Sequence, residues 1–355
     1  MSILTKYVFK KYIINFLIVL LSLQLFFIGI DLIQNFKDLP SSANLVILYI
    51  LYFSFFTFSL ALPLSLVFGW IVTLVMFIKS NEFVAFNALG ATRTQFIKPA
   101  IISSLVLIIT LIGLQFTPLA YSEEQKNKIL KGEFFSSTKN DVFLKYNDNF
   151  VYFKKLLPLQ KKAEEVYIFK IQNNDVVKTT FAKNAYFQND KWYVVDAKII
   201  DKPEEIDITS SKIEITNEKF LYTLEGFKPK ILNKVYEEKS DLSLSDSISA
   251  LILFGNQGIN TDKIRASVYN QVLVPFFIIP LMLLFFVYSA LNNRLFNGGK
   301  FISLSIFSTL IVWGVFFLLF RFTTGGVIVP EVSLLAPFIL WIVVSMFIYQ
   351  RKSSF

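Results

Sequence analysis

The apolar run from about Leu45 to Ile78 constrains this chain more than any other stretch. It exceeds the roughly 20 residues that cross a hydrocarbon core. Pro63 lies inside it and cannot donate the helical hydrogen bond, so a kink or a division is expected there. The first part would then lie along the interface and the span proper at about 55–78. Five further apolar runs repeat the signal, at about 12–33, 99–118, 268–291, 301–322 and 332–349. The first follows a basic start, as in a signal peptide, but it is too long and lacks a small-residue cleavage site. It reads as a retained span. Composition agrees, with 54% hydrophobic residues and 40 phenylalanines. The chain has no cysteine, which excludes disulfides and thiol catalysis, and no histidine, which removes imidazole bases. A metal site would have to be built from carboxylates, and neither a metal nor a cofactor is expected.

Between the third and fourth runs the character changes. From Tyr121 to about Ser240 both charge signs are nearly balanced, and short alternating runs are bounded by turn residues. Asn149 to Lys154, Val166 to Ile171, Trp192 to Ile199 and Lys212 to Thr216 read as strands. Asn147-Asp148-Asn149, Asn173-Asn174-Asp175 and Gln188-Asn189-Asp190-Lys191 read as hairpin turns. Glu123-Glu124, Glu164-Glu165 and Glu204-Glu205 fall here; neighbours on a strand point to opposite faces, so these are solvated charges. A helix from Asp241 to about Gly258, capped by Ser240 or Asp241, would return the chain to the membrane. The expected fold is a membrane α+β protein of six spans (3+3) with an all-β domain inserted between spans three and four. Residues 1–120 form the first half, 121–240 the β domain, and 241–355 the connecting helix and second half.

Charge gives the orientation. Lys6, Lys10, Lys11, Lys79, Arg93, Lys98, Arg294, Lys300, Arg351 and Lys352 fall on one side of the spans, while the short loops opposite carry no basic excess. The positive-inside rule makes both termini and the stretch Ser80–Gln95 cytoplasmic, with the β domain on the other side.

That stretch reads S-N-E-F-V-A-F-N-A-L-G-A-T-R-T-Q. Asn81 and Glu82 suit a helix start, and Gly90 suits a left-handed helix end. Between them Phe83, Val84, Phe86 and Leu89 supply an apolar face. Two readings are open: an ordinary interfacial loop helix at 80–90, or a short lever that receives force from a soluble partner. No G-x-x-x-x-G-K-[ST] loop is present, and Asn297-Gly298-Gly299-Lys300 reads as a turn, so the chain is not expected to bind nucleotide in the P-loop manner. The balanced charge of the β domain argues against nucleic acid. Charges near the membrane are costly and therefore informative. Arg321 is either a snorkelling interfacial residue or a contact for an anionic substrate. Asp31 and Lys37 divide similarly, and Lys126, Lys128 and Lys131 either solvate a helix end or meet phosphate groups.

The order of three spans, β domain and three spans resembles the LptF/LptG (YjgP/YjgQ) lipopolysaccharide export permeases. N-E-F-V-A-F-N-A-L-G-A-T-R is similar to that family's acidic-led coupling helix, and Pro63 falls where the family places a proline in span two. N-D-N-F-V-Y-F and A-K-N-A-Y-F-Q-N-D-K-W, with Ala182, Ala185 and Trp192, resemble its strands. The F-V-Y stretch and Asp31 lean toward LptG. The resemblance implies a permease subunit of an ABC transporter in the bacterial inner membrane, working with a cytoplasmic ATPase dimer (LptB-like) and a second LptF/LptG-like subunit. Its β domain would be a periplasmic jellyroll passing lipopolysaccharide to LptC- and LptA-like bridge proteins. Glu82 would be the acidic contact to the ATPase, with Phe83, Phe86, Gly90 and Arg93 around it. Lys126 falls where LptG-like members carry a basic residue near the substrate; Ile28 stands where the family has a lysine in span one. Asp31, Lys37, Lys126 and Arg321 are the candidate substrate contacts. Another ABC-type lipid or lipoprotein permease would carry its external domain after the first of four spans. A scaffold displaying a β domain would need neither the 80–90 helix nor three more spans.

Overall fold

The computed structural model describes residues 3–132, 139–146, 149–157, 160–172, 175–189, 191–202, 214–225, 242–255, 260–289, 294 and 296–353. The turns expected at 147–148 and 173–174, the pair at 204–205, residue 212 and the cap at 240–241 lie outside them. The chain divides into two compact units. Met1–Gly132, Ser243–Ser247 and Asp262–Phe355 form one, and Glu133–Leu242 with Ile248–Thr261 the other.

The first unit is helical. Its elements are α1 (Ile3–Gln34), α2 (Ala43–Lys79), α3 (Glu82–Ala88), α4 (Arg93–Gln115) and α5 (Ser122–Leu130). The start of α6 (Leu244–Phe254) follows, then α7 (Asp262–Val272), α8 (Ile278–Tyr288), α9 (Gly298–Thr324) and α10 (Ala336–Ser353). Among the described residues five helices are long and apolar enough to cross a membrane, and α7 with Val274–Tyr288, bent by 44°, is either a broken sixth span or a re-entrant loop. The bend falls beside Pro275, which opens a 3₁₀ turn.

Pro63 does not divide α2. The helix runs for 37 residues through the proline. The reason is packing: Ala61, Leu62, Leu64, Leu66 and Val67 are all buried, so neighbouring helices hold both sides of the missing hydrogen bond in place. Burial of the apolar window reaches 83% in α2 against 17% in α1 and α9, which marks α2 as the axis of the unit. Its closest neighbour is α1. A Cβ on Gly69 would sit 2.7 Å from the Phe16 Cα, so only glycine allows this approach.

The second unit is one antiparallel sheet of six strands in sequential order: β1 (Lys139–Tyr146), β2 (Asn149–Leu157), β3 (Lys162–Gln172), β4 (Asp175–Gln188), β5 (Lys191–Asp201) and β6 (Glu214–Thr223). The sheet folds over on itself. Phe153 on β2 and Trp192 on β5 have ring centroids 5.1 Å apart, though strands three places apart in a flat sheet lie about 14 Å apart. Tyr146, at the end of β1, donates a hydrogen bond to the Glu225 carbonyl just past β6, bringing the two outer strands together at one end.

A crease explains the curl. Asp141, Lys154, Glu165, Lys183, Asp196 and Lys219 form a row across all six strands at which the ladder pairing is skipped without a change of register. The three acids of that row have φ of 56°, 51° and 51°. Inward burial changes phase there, from Phe153 to Leu156, Val166 to Ala163, Ala182 to Ala185 and Val194 to Ala197. The enclosed face is an apolar trough around Val151, Phe153, Val166, Trp192 and Val194. Glu164 and Glu165 meet Lys155, Lys162 and Lys154 on the solvated side. Glu123 and Glu124 instead occupy the first turn of α5, a helix of the other unit.

Gly69→Ala is expected to push α1 off α2 and lower stability in detergent by about 1–3 kcal/mol. Gly113→Ala, whose Cβ would meet nothing within 4 Å, is the control and should leave the unfolding midpoint unchanged.

Candidate functional site

The stretch Ser80–Gln95 folds as a seven-residue helix between two tight corners. Asn81 turns into α3 in the left-handed conformation (φ 56°), and its side chain does not cap the helix. Gly90 (φ 83°) ends it in a Schellman arrangement, with its N–H bonded to the Asn87 carbonyl and the Ala91 N–H to that of Phe86, both at 3.0 Å. One residue later Thr92 and Gln95 form a capping box that starts α4. The run G-A-T-R-T-Q thus codes a stop and a restart in six residues.

The apolar face expected for α3 is split. Phe83 is buried, with its ring 4.5 Å from Phe96 of α4 and 6.0 Å from Phe286 of α8. Phe86 lies 5.7 Å from Phe96 and 6.0 Å from Tyr7 of α1, and Phe96 also meets Phe77 of α2. Val84 is exposed, and Leu89 is 82% exposed. Glu82, half-buried, accepts a hydrogen bond of 2.8 Å from the Tyr7 hydroxyl. Arg93 is exposed in the first turn of α4, where a cation opposes the helix dipole and adds nothing to local stability.

Asp31 and Lys126 come together at the other end of α1. Lys126 of α5 lies 2.5 Å from the Asp31 carboxylate, with side-chain exposures of 11% and 10%. Tyr49 of α2 donates a hydrogen bond to the second carboxylate oxygen. The ammonium also sits 4.2 Å from the centre of the Phe53 ring. Lys37, exposed in a 3₁₀ turn, and Arg321, 5.1 Å over Phe317 of its own helix, do not bond to this pair. Nearby, Tyr121 donates to Asp246 and so ties the end of span three to the start of α6. Burial, then that hydrogen bond, hold its hydroxyl pKa well above the usual tyrosine value.

The chain matches the family model described as lipopolysaccharide export system permease LptF/LptG over residues 6–351. It belongs to the LptF/LptG family. No curated protein matches it. This LptF/LptG chain is therefore a multi-pass membrane subunit of a lipopolysaccharide export permease and not an enzyme by itself.

Several partners in the permease were not visible in its sequence. Tyr7 and Tyr49 lie outside the spans expected at 12–33 and 55–78, and only tertiary contact pairs them with Glu82 and Asp31. Arg265 of α7 bonds Glu331, before α10, and Asp262, while Tyr269 lies 3.3 Å from Glu331. Arg265 and Tyr269 are four residues apart on one helix face, a spacing that could have signalled a shared partner.

Breaking one side of the Asp31–Lys126 pair strands a buried charge. Asp31→Asn is expected to destabilise the protein by about 3–5 kcal/mol in detergent. Asp31→Asn combined with Lys126→Met should recover most of that loss; equal destabilisation of the single and double variants would show that the pair contributes nothing.

Proposed function

We propose that this subunit pairs with a second LptF/LptG-like subunit and a cytoplasmic ATPase dimer to extract lipopolysaccharide from the inner membrane. The observation that carries this reading is the aromatic root of α3. Phe83 and Phe86 key a short external helix to Tyr7 of α1, Phe96 of α4 and Phe286 of α8, and Phe96 in turn meets Phe77 of α2. A loop helix with no mechanical duty has no need of such a root. Force applied to the outward side of α3 reaches both halves of the transmembrane unit at once, because interdigitated rings resist sliding.

In this reading Glu82, Leu89, Gly90 and Arg93 face the ATPase, while Phe83 and Phe86 transmit its movement inward. Both termini and α3 are cytoplasmic, as the basic residues around them favour, and the β domain is periplasmic. ATP binding closes the partner ATPases and narrows the cavity shared by the two permease subunits. Lys37, Lys126 and Arg321 meet the phosphates of the lipid head. Asp31 holds Lys126 neutralised until an anionic head competes for it. The expelled acyl chains pass to the apolar trough around Phe153 and Trp192, and from there to LptC- and LptA-like bridge proteins.

Two variants separate the outward and inward roles. Glu82→Ala and Leu89→Asp should each abolish ATPase co-purification from membranes while leaving the protein folded. Phe83→Ala should retain the ATPase but reduce lipid release per ATP hydrolysed at least tenfold. Wild-type ATPase recruitment and lipid release by both outward variants would overturn the coupling assignment.

A further inference from the structure

The seam between α1 and α4 holds a groove of about 480 Å³ that the export steps leave unused. Thr5, Phe9 and Ile13 line it from α1, and Lys98, Ile102 and Val106 from α4, each set at spacings of four. The two helices start at the same end of the unit, so these side chains face one another rung by rung. Eight residues of helix rise about 12 Å, close to the roughly 15 Å of hydrocarbon in one leaflet. The floor is apolar in effect, because the Ser103 hydroxyl is turned to the Pro99 and Ala100 carbonyls at 2.8 and 3.0 Å.

Only one end of the groove carries charge. Lys98 is exposed there and makes no ion pair among the described residues. A slot one leaflet deep, closed by a single cation, suits an acyl chain with an anionic head.

We propose that this groove binds one anionic phospholipid of the leaflet on the α3 side, its acyl chain along the two ladders and its phosphate against Lys98. This is not the exported lipid. Thr5 and Asp31 are separated by about 39 Å along α1, so the groove and the Asp31–Lys126 pair lie at opposite ends of the span. The bound lipid braces α1 against α4 one turn beyond Arg93, where α3 hands over to the bundle. Naming the leaflet cytoplasmic rests on the proposed orientation; the binding itself does not.

The test is native mass spectrometry of the purified full-length protein, titrated with phosphatidylglycerol and phosphatidylcholine of identical acyl chains. The wild type should retain phosphatidylglycerol at least fivefold better than phosphatidylcholine. Lys98→Ala should lose that preference, Lys98→Arg should keep it, and Ile102→Trp, which fills the slot, should retain neither lipid tightly. Photocrosslinking from benzoylphenylalanine at position 106 should capture phospholipid. Equal retention of the two lipids by the wild type, an unchanged preference in Lys98→Ala, or capture of a protein helix from position 106 would each overturn the proposal. These readouts need no ATPase and no export, so their failure is separate from failure of the coupling assignment.

Discussion

Hydrocarbon offers no reward for moving leucine from one apolar neighbour to another, so the membrane unit must be held by shape and by its few polar side chains. Both act on α2. Gly69 brings it against the backbone of Phe16, closer than any side chain permits. Tyr12 of α1 reaches the Leu66 carbonyl and lies 2.6 Å from Ser104 of α4, and Asn15 donates to Thr73 at 2.9 Å. Trp70 donates to the Met282 carbonyl on α8 at 3.1 Å. Each of these groups would be left unsatisfied in lipid if its partner moved, at a cost of several kcal/mol. The two halves of the transmembrane unit are thereby clamped to one axis, and α3 inherits a rigid base.

The same principle explains why α3 can be so short. Isolated helices of seven residues are not stable in water, since nucleation is costly. This one is defined by its ends and its root: two left-handed corners, the Schellman bonds, and a buried Phe83. Its exposed Val84 and Leu89 are left over from folding and are available to a partner.

How far this was legible in the sequence depends on the range of the interactions involved. Apolar runs report the spans, because a leaflet accepts nothing else, and Gly90 reports a left-handed helix end. Pro63 does not divide the helix as local propensity allows, because the α2 residues around it are buried against helices distant in sequence. The apolar face of α3 was visible as composition, but its division into buried Phe83 and exposed Leu89 depends on where α4 and α8 lie. In the sheet, four of the strands were readable from alternation, while β1 and β4 were not. The crease at Asp141, Glu165 and Asp196 breaks the period of two and blurs the very signal on which strand reading depends. The Asp31–Tyr49–Lys126 cluster joins three helices, and nothing in the spacing of those residues announces it.

The crease organises charge as well as shape. Its row alternates acid and base across all six strands, from Asp141 to Lys219, and Lys154 and Glu165 form an ion pair at 2.7 Å. Screened and exposed, such pairs add little to stability. Their placement matters more. A left-handed backbone disfavours β-branched and large apolar side chains, so Asp141, Glu165 and Asp196 suit their positions, and with the three lysines between them the line along which the sheet bends is polar. Being polar, it must face water, and that forces the apolar residues on either side of it to the opposite, enclosed face. The bend and the trough are therefore one decision of the sequence: the residues that let the sheet fold are those that determine which side becomes the lining.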